Sequence, residues 1–193
     1  MRFRIKGTSA VGRAFAGRRL RATLAIAAAS LLGLSLTSLV QAAPANATPV
    51  LFALVNAHSL DCMSNGGALN GYVSQFACGG TKGQAWYFGG THGAYQQIKN
   101  YATGQCVGVQ GGSLANGARI WMGNCSSNDI FYWQKELECT FIVGCAPGAD
   151  FWVNQASGRV IQVGCGCDSN SAGLFDDALS DADPPSQLWY YEG

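Results

Sequence analysis

The stretch Asn100–Trp133, NYATGQCVGVQGGSLANGARIWMGNCSSNDIFYW, decides how the rest of the chain is read, because its landmarks occur once before it and once after it. From Asn100 the chain reaches Cys106 six steps on, then an Asn-Gly pair at Asn116-Gly117, a second cysteine at Cys125 and a closing aromatic at Trp133. Upstream, Asn56 leads in the same way to Cys62, Asn70-Gly71, Cys78 and Gln84-Ala85-Trp86. Downstream, Asn154 leads to Val160, Ala172-Gly173 and Gln187-Leu188-Trp189, without a second cysteine. Three such units stack apolar faces that none could bury alone, which is the physical content of an internal repeat.

Within each unit, short apolar runs are punctuated by Gly and Asn every eight to twelve residues or so, and no helical period is sustained. That pattern predicts an all-β fold of short strands, with Asn70-Gly71 as a type I′ hairpin turn. The opening segments LFALVN, YQQIKN and DFWVN share a register. Period-2 alternation then points Leu54, Ile98 and Trp152 into one common core. The repeats span about 51–90, 95–136 and 151–192, with an insert, QKELECTFIVGCAPGAD, at 134–150.

The first 47 residues are set apart by composition. Arg2, Arg4, Lys6, Arg13, Arg18, Arg19 and Arg21 precede an uncharged run from Ala22 to Ala47 that ends in small residues, at Val40-Gln41-Ala42 or Ala45-Asn46-Ala47. This reads as a cleaved secretory signal, 1–47, followed by a single domain, 48–193. Arg18-Arg19 leaves the export route, general or twin-arginine, open. The remaining chain holds five basic residues (Lys82, Lys99, Arg119, Lys135, Arg159) against eleven acids, a formal charge of −6. Such a surface lacks the basic footprint of a nucleic-acid binder, and once the signal is removed nothing in the sequence calls for membrane attachment. The localisation expected is secreted and extracellular.

All eight cysteines lie in the exported part, where disulfides persist. The repeat register pairs Cys62 with Cys78 and Cys106 with Cys125; the third repeat lacks both members. Cys139, Cys145, Cys165 and Cys167 are expected to pair among themselves and so tie the insert to the third repeat. Their spacing does not suit zinc, and no metal or cofactor is expected. The acids Asp176, Asp177, Asp181 and Asp183 lack the glycine and closing glutamate of a calcium loop and read as a solvated acidic loop.

With these landmarks the chain resembles the ricin B-type lectin family, whose members fold as β-trefoils with a Q-x-W motif in each repeat. Here the motif stands as Gln84-Ala85-Trp86, as a degenerate Phe131-Tyr132-Trp133 and as Gln187-Leu188-Trp189. The resemblance implies that Trp86, Trp133 and Trp189 fill the core and that Gln84 and Gln187 satisfy nearby backbone groups. It also implies galactose-type sugar binding in up to three shallow pockets. The family's aspartate anchor, aromatic platform and pre-motif Asn map onto Ser64, Phe76 and Gly83 in the first repeat. In the second they map onto Gly108, Gly123 and Ile130, and in the third the anchor maps onto Gln162. No repeat keeps the full set. The first repeat, with Ser64, Asn65 and Phe76, is the best candidate site. The second offers a displaced platform, Trp121, with Asn124 and Asp129 nearby.

No catalytic constellation accompanies these features. His58 and His92 sit in no nucleophile or metalloprotease motif, and the chain carries neither G-x-S-x-G nor H-E-x-x-H. The expected function is therefore a secreted, non-catalytic carbohydrate-binding protein whose partner is a galactose-type sugar or polysaccharide held by weak multivalent pockets. A trefoil scaffold for a protein partner, such as an inhibitor or an envelope interaction protein, is the alternative.

Overall fold

The computed structural model describes residues 48–136, 147–180 and 184–193. The proposed signal, Cys139, Cys145, Asp181 and Asp183 lie outside them. Twelve strands are described, four to a repeat. The first repeat holds β1 (Ala53–Asn56), β2 (Cys62–Ser64), β3 (Ser74–Phe76) and β4 (Trp86–His92). The second holds β5 (Tyr95–Asn100), β6 (Cys106–Val109), β7 (Ala118–Gly123) and β8 (Tyr132–Glu136). The third holds β9 (Ala149–Asn154), β10 (Val160–Val163), β11 (Leu174–Asp177) and β12 (Trp189–Glu192). The helical elements described are short 3-10 turns, one of them placed just before each closing tryptophan.

The outer strands of each repeat form a six-stranded barrel in which β4 pairs β5, β5 pairs β8, β8 pairs β9, β9 pairs β12 and β12 pairs β1. The ring closes through reciprocal backbone bonds between Phe52 and Trp86, 2.9 and 2.8 Å long. Closure removes the exposed edges that an open sheet would present. The inner strands form three hairpins, β2–β3, β6–β7 and β10–β11, that cap one end. They meet in a cycle: Tyr72 pairs with Trp121, Arg119 with Phe175 and Gly173 with Ser74. This is a β-trefoil with near three-fold symmetry.

The repeat landmarks now have physical causes. Trp86, Trp133 and Trp189 are fully buried. Each indole Nε1 donates to a carbonyl in the hairpin of its own repeat, at Met63, Val107 and Ile161, over 2.9–3.0 Å. Leu54, Ile98 and Trp152 are buried in the same core. The three asparagines that open the repeats are also fully buried and knit each repeat to the one before it. Asn100 Nδ2 donates to the carbonyls of Gly83 and Ala85, Asn154 Nδ2 to those of Ile130 and Tyr132, and Asn56 Nδ2 to those of Ser186 and Leu188. Each Oδ1 accepts from backbone N–H groups two and three residues on. A buried amide with every group satisfied specifies one arrangement, since leaving one unpaired costs about 1–3 kcal/mol.

Three expectations need correction. Asn70-Gly71 is not a type I′ turn, and neither is its counterpart Asn116-Gly117. That turn needs positive φ at both central residues, whereas in the first pair only Asn70 has it (φ 53°) and in the second only Gly117 (φ 78°). Both pairs lie in longer loops, and Asn70 is held there by Gln105, whose Oε1 accepts from Asn70 N and whose Nε2 donates to Asn70 Oδ1. Cys165 bonds Cys167, so neither sulfur reaches the insert, while Cys62–Cys78 and Cys106–Cys125 each close a loop in their own repeat. Asp176 is not part of a solvated loop: it is fully buried on β11, opposite Ile161.

Candidate functional site

The hairpin registers align the three family pockets residue by residue. Ser64 faces Ser74, Gly108 faces Trp121 and Gln162 faces Phe175. The platform position, facing the first residue of each hairpin, is Phe76, Gly123 or Asp177. What fills the space between anchor and platform differs in each repeat.

In the first repeat that space is open. A cleft of about 480 Å³ is lined by Ser64, Gly67, Phe76, Lys82, Gly83 and Ala102, among others, a size that suits a small ligand. Ser64 Oγ accepts from Gly66 N at 3.1 Å, which leaves the hydroxyl proton to donate. Phe76 is half-buried at one wall. Gln84 supports that wall, since its Nε2 donates to the carbonyls of Phe76 and Ala77 and its Oε1 accepts from Gly79 N. Asn65 does not offer the groups expected of it. It is buried, with Oδ1 accepting from Gly67 N and Nδ2 donating to Ala68 O, so it shapes the loop. That loop also explains Gly83, which stands where the family carries Asn. A Cβ there would lie 2.8 Å from Gly67 N and 3.2 Å from Asn65 Oδ1.

In the second repeat the space is filled from within. Phe131, which replaces the motif glutamine, is buried against Cys106 and Tyr132, with Trp121, Cys125 and Ile130 packed around them. A Cβ on Gly108 would come within 2.6 Å of the Phe131 ring, and one on Gly123 within 2.9 Å. Anchor and platform positions are both glycine because the phenylalanine occupies the volume their side chains would need. Gln97 of β5 reaches the loop after Cys125, where its Nε2 donates to Ser126 O at 2.8 Å. Trp121 and Asp129 do not make a joint site. Trp121 packs on that ring cluster and pairs with Tyr72 in the cap, whereas the Asp129 carboxylate lies 3.3 Å from His92 Nδ1.

The third repeat keeps its glutamine but uses the anchor internally. Gln187 Nε2 donates to Gln162 Oε1 at 2.7 Å and to Ala178 O, and its Oε1 accepts from Ser180 N. The platform position itself is an acid, Asp177. Among the described residues, then, the space between anchor and platform is open in the first repeat, filled by Phe131 in the second, and crossed by the Gln187–Gln162 bond in the third. His58, for its part, pairs with Asp168 at 2.9 Å.

A model of the ricin-type β-trefoil lectin domain-like family matches residues 41–122 and 82–141, together more than half of the chain. The chain belongs to that family. Among solved structures, a designed three-fold symmetric protein, ThreeFoil, is similar to this lectin-like domain with a TM-score of 0.65 at 20% identity, over 74% of this chain and 98% of its own. A Macrolepiota procera ricin B-like lectin in complex with lactose has a TM-score of 0.61 at 15% identity, over 75% of this chain and 96% of its own. An exo-β-1,3-galactanase from Clostridium thermocellum has a TM-score of 0.65 at 18% identity, over 74% of this chain but 30% of its own. At these identities the likeness is one of fold. Among curated proteins, none matches this chain.

The degenerate motif was visible in the sequence, but the filling of the site by Phe131 was not read from it, although its signal was present. A large residue replaces the motif glutamine in the repeat that carries glycine at both anchor and platform, and the three changes compensate in volume.

Proposed function

We propose that this member of the family is a secreted, non-catalytic carbohydrate-binding protein that holds a galactose-type unit of an extracellular glycan in the first-repeat cleft. The observation that carries this reading is the open space between Ser64 and Phe76, against the filled or internally bonded positions of the other repeats. The flat face of a sugar ring stacks on Phe76, and its hydroxyls meet Ser64 and the cleft's backbone. Serine replaces a charged anchor. A charge-assisted hydrogen bond contributes roughly 1.5–3 kcal/mol and a neutral one about 1, so a single site is about tenfold weaker than one with aspartate. Useful retention then requires several chains on one polymeric ligand.

The test is a glycan array and insoluble-polysaccharide pull-down with the oxidised protein lacking residues 1–47, beside Ser64→Ala and Phe76→Ala. Retention on a galactose-bearing glycan that both variants lose supports the reading. No retention on any glycan ends it.

A further inference from the structure

A second cavity, of about 380 Å³, lies at the capped end, where the three hairpins meet. Its lining includes Arg119, Cys165, Ser169, Ser171 and Phe175. It is distinct from the family pockets, because Gln162 and Asp177 do not line it and Arg119 comes from the second repeat. Symmetry places Tyr72, Arg119 and Gly173 at equivalent positions in the three hairpins. Of the three, Arg119 alone is charged. The guanidinium carbon lies 4.7 Å from the Tyr72 ring centroid and 4.8 Å from that of Phe175. Gly173 leaves open the space where a Cβ would strike the guanidinium.

The aromatic faces hold the guanidinium plane in place and themselves supply no acceptor in its plane. Arg119 Nε is buried with no hydrogen-bond partner, and among the described residues no carboxylate pairs with this arginine. The acid in the neighbouring loop, Asp168, is engaged by His58. That loop is itself fixed from the first repeat: Gln75 Nε2 donates to the carbonyls of Cys167 and Ser169, and Gln75 O accepts from Ser171 N. Ser169 and Ser171 are exposed at the rim and offer hydroxyls.

We propose that this cavity binds the carboxylate of an acidic sugar unit, a hexuronate, with Arg119 as its fork-shaped counter-ion and the two serines meeting the ring hydroxyls. A planar carboxylate matches the guanidinium bidentately, and the cavity is within the range that accommodates a small ligand. The site is independent of the first-repeat cleft, so the protein would read a neutral and an acidic sugar at two places.

The experiment is a calorimetric titration of sodium glucuronate into the oxidised protein lacking residues 1–47, with glucose and sodium acetate as companion ligands. Arg119→Met keeps an apolar stem between the rings and loses the fork; Arg119→Lys keeps the charge and serves if the methionine variant fails to fold by near-UV circular dichroism. Saturable glucuronate binding that weakens about ten- to hundredfold in either variant, with neither glucose nor acetate saturating over the same range, supports the assignment. Phe76→Ala should leave it unchanged. Unaltered glucuronate affinity in the tested variant, or equal binding of glucose or acetate, overturns it.

Discussion

The first and second repeats share nearly every landmark that defines the fold, yet one presents a cleft and the other does not. Both have the buried asparagine, the cysteine pair and the tryptophan that bonds its own hairpin. They diverge at the residue two before that tryptophan. Gln84 stays at the wall of its cleft and braces the strand that carries Phe76. Phe131 turns inward and fills the space between Gly108 and Gly123. The fold and the open cleft are thus written in different positions of one repeat, and a repeat can lose the second while keeping the first intact.

The largest effect that would sharpen this contrast comes from removing the plug. Phe131→Ala should destabilise the protein by about 3–5 kcal/mol, the usual cost of an emptied aromatic site. Gln84→Ala should cost about 1–3 kcal/mol through unpaired backbone groups. Guanidinium unfolding of the oxidised proteins compares the two, and equal losses would break the distinction between plug and brace.

The third repeat extends the comparison. Gln75, Met122 and Asp176 occupy one position in the three hairpins. Gln75 is neutral and satisfied: its Oε1 accepts from Ser59 Oγ at 2.7 Å. Asp176 accepts from Ser157 Oγ at 3.0 Å, but its Oδ2 is buried without a partner. Desolvation by burial raises its pKa from 3.8 to about 6, against the lowering effects of the Ser157 bond and nearby Arg159. Because the folded state holds this proton more tightly than the unfolded chain, its contribution to stability is complete below about pH 4 and is lost as the pH rises through about 6. Asp176→Asn should therefore stabilise the protein at pH 7 by roughly 2–3 kcal/mol and change little at pH 4. Unfolding curves of both proteins at the two pH values check the sign. A variant less stable at pH 7 would contradict it.

A smaller effect is expected at the anchors. Gly108→Ala should cost about 1–3 kcal/mol by overpacking against Phe131, while Ser64→Ala, beside open space, should cost about 1 kcal/mol for one hydrogen bond. Thermal unfolding separates them, and a harmless Gly108→Ala would mean that the second position is not full.

The fold was legible because its determinants repeat. Asn56, Asn100 and Asn154 stand out from sequence alone by their six-step spacing to Cys62, Cys106 and Val160, and by the motifs that close each unit. The use of their amides on the preceding repeat's motif carbonyls is a long-range fact that spacing does not express. The site was legible in part. Ser64 and Phe76 line the cleft as the family register implies, but Asn65 has its polar groups engaged within the loop, which no local pattern reveals. Trp121 and Asp129 looked close because they are near in sequence, whereas the cap and β4 take them to different partners. Asp176 looked like a loop acid because acids follow it; strand alternation places it in the interior.

The most direct test of the central claim is a nitrogen-15 chemical-shift titration of the oxidised protein with galactose. The contrast between repeats predicts perturbations at Ser64, Gly66, Gly67, Phe76 and Gly83, with none around Gly108, Gly123 and Phe131. Perturbations centred on the second repeat, with the first unmoved, would contradict it.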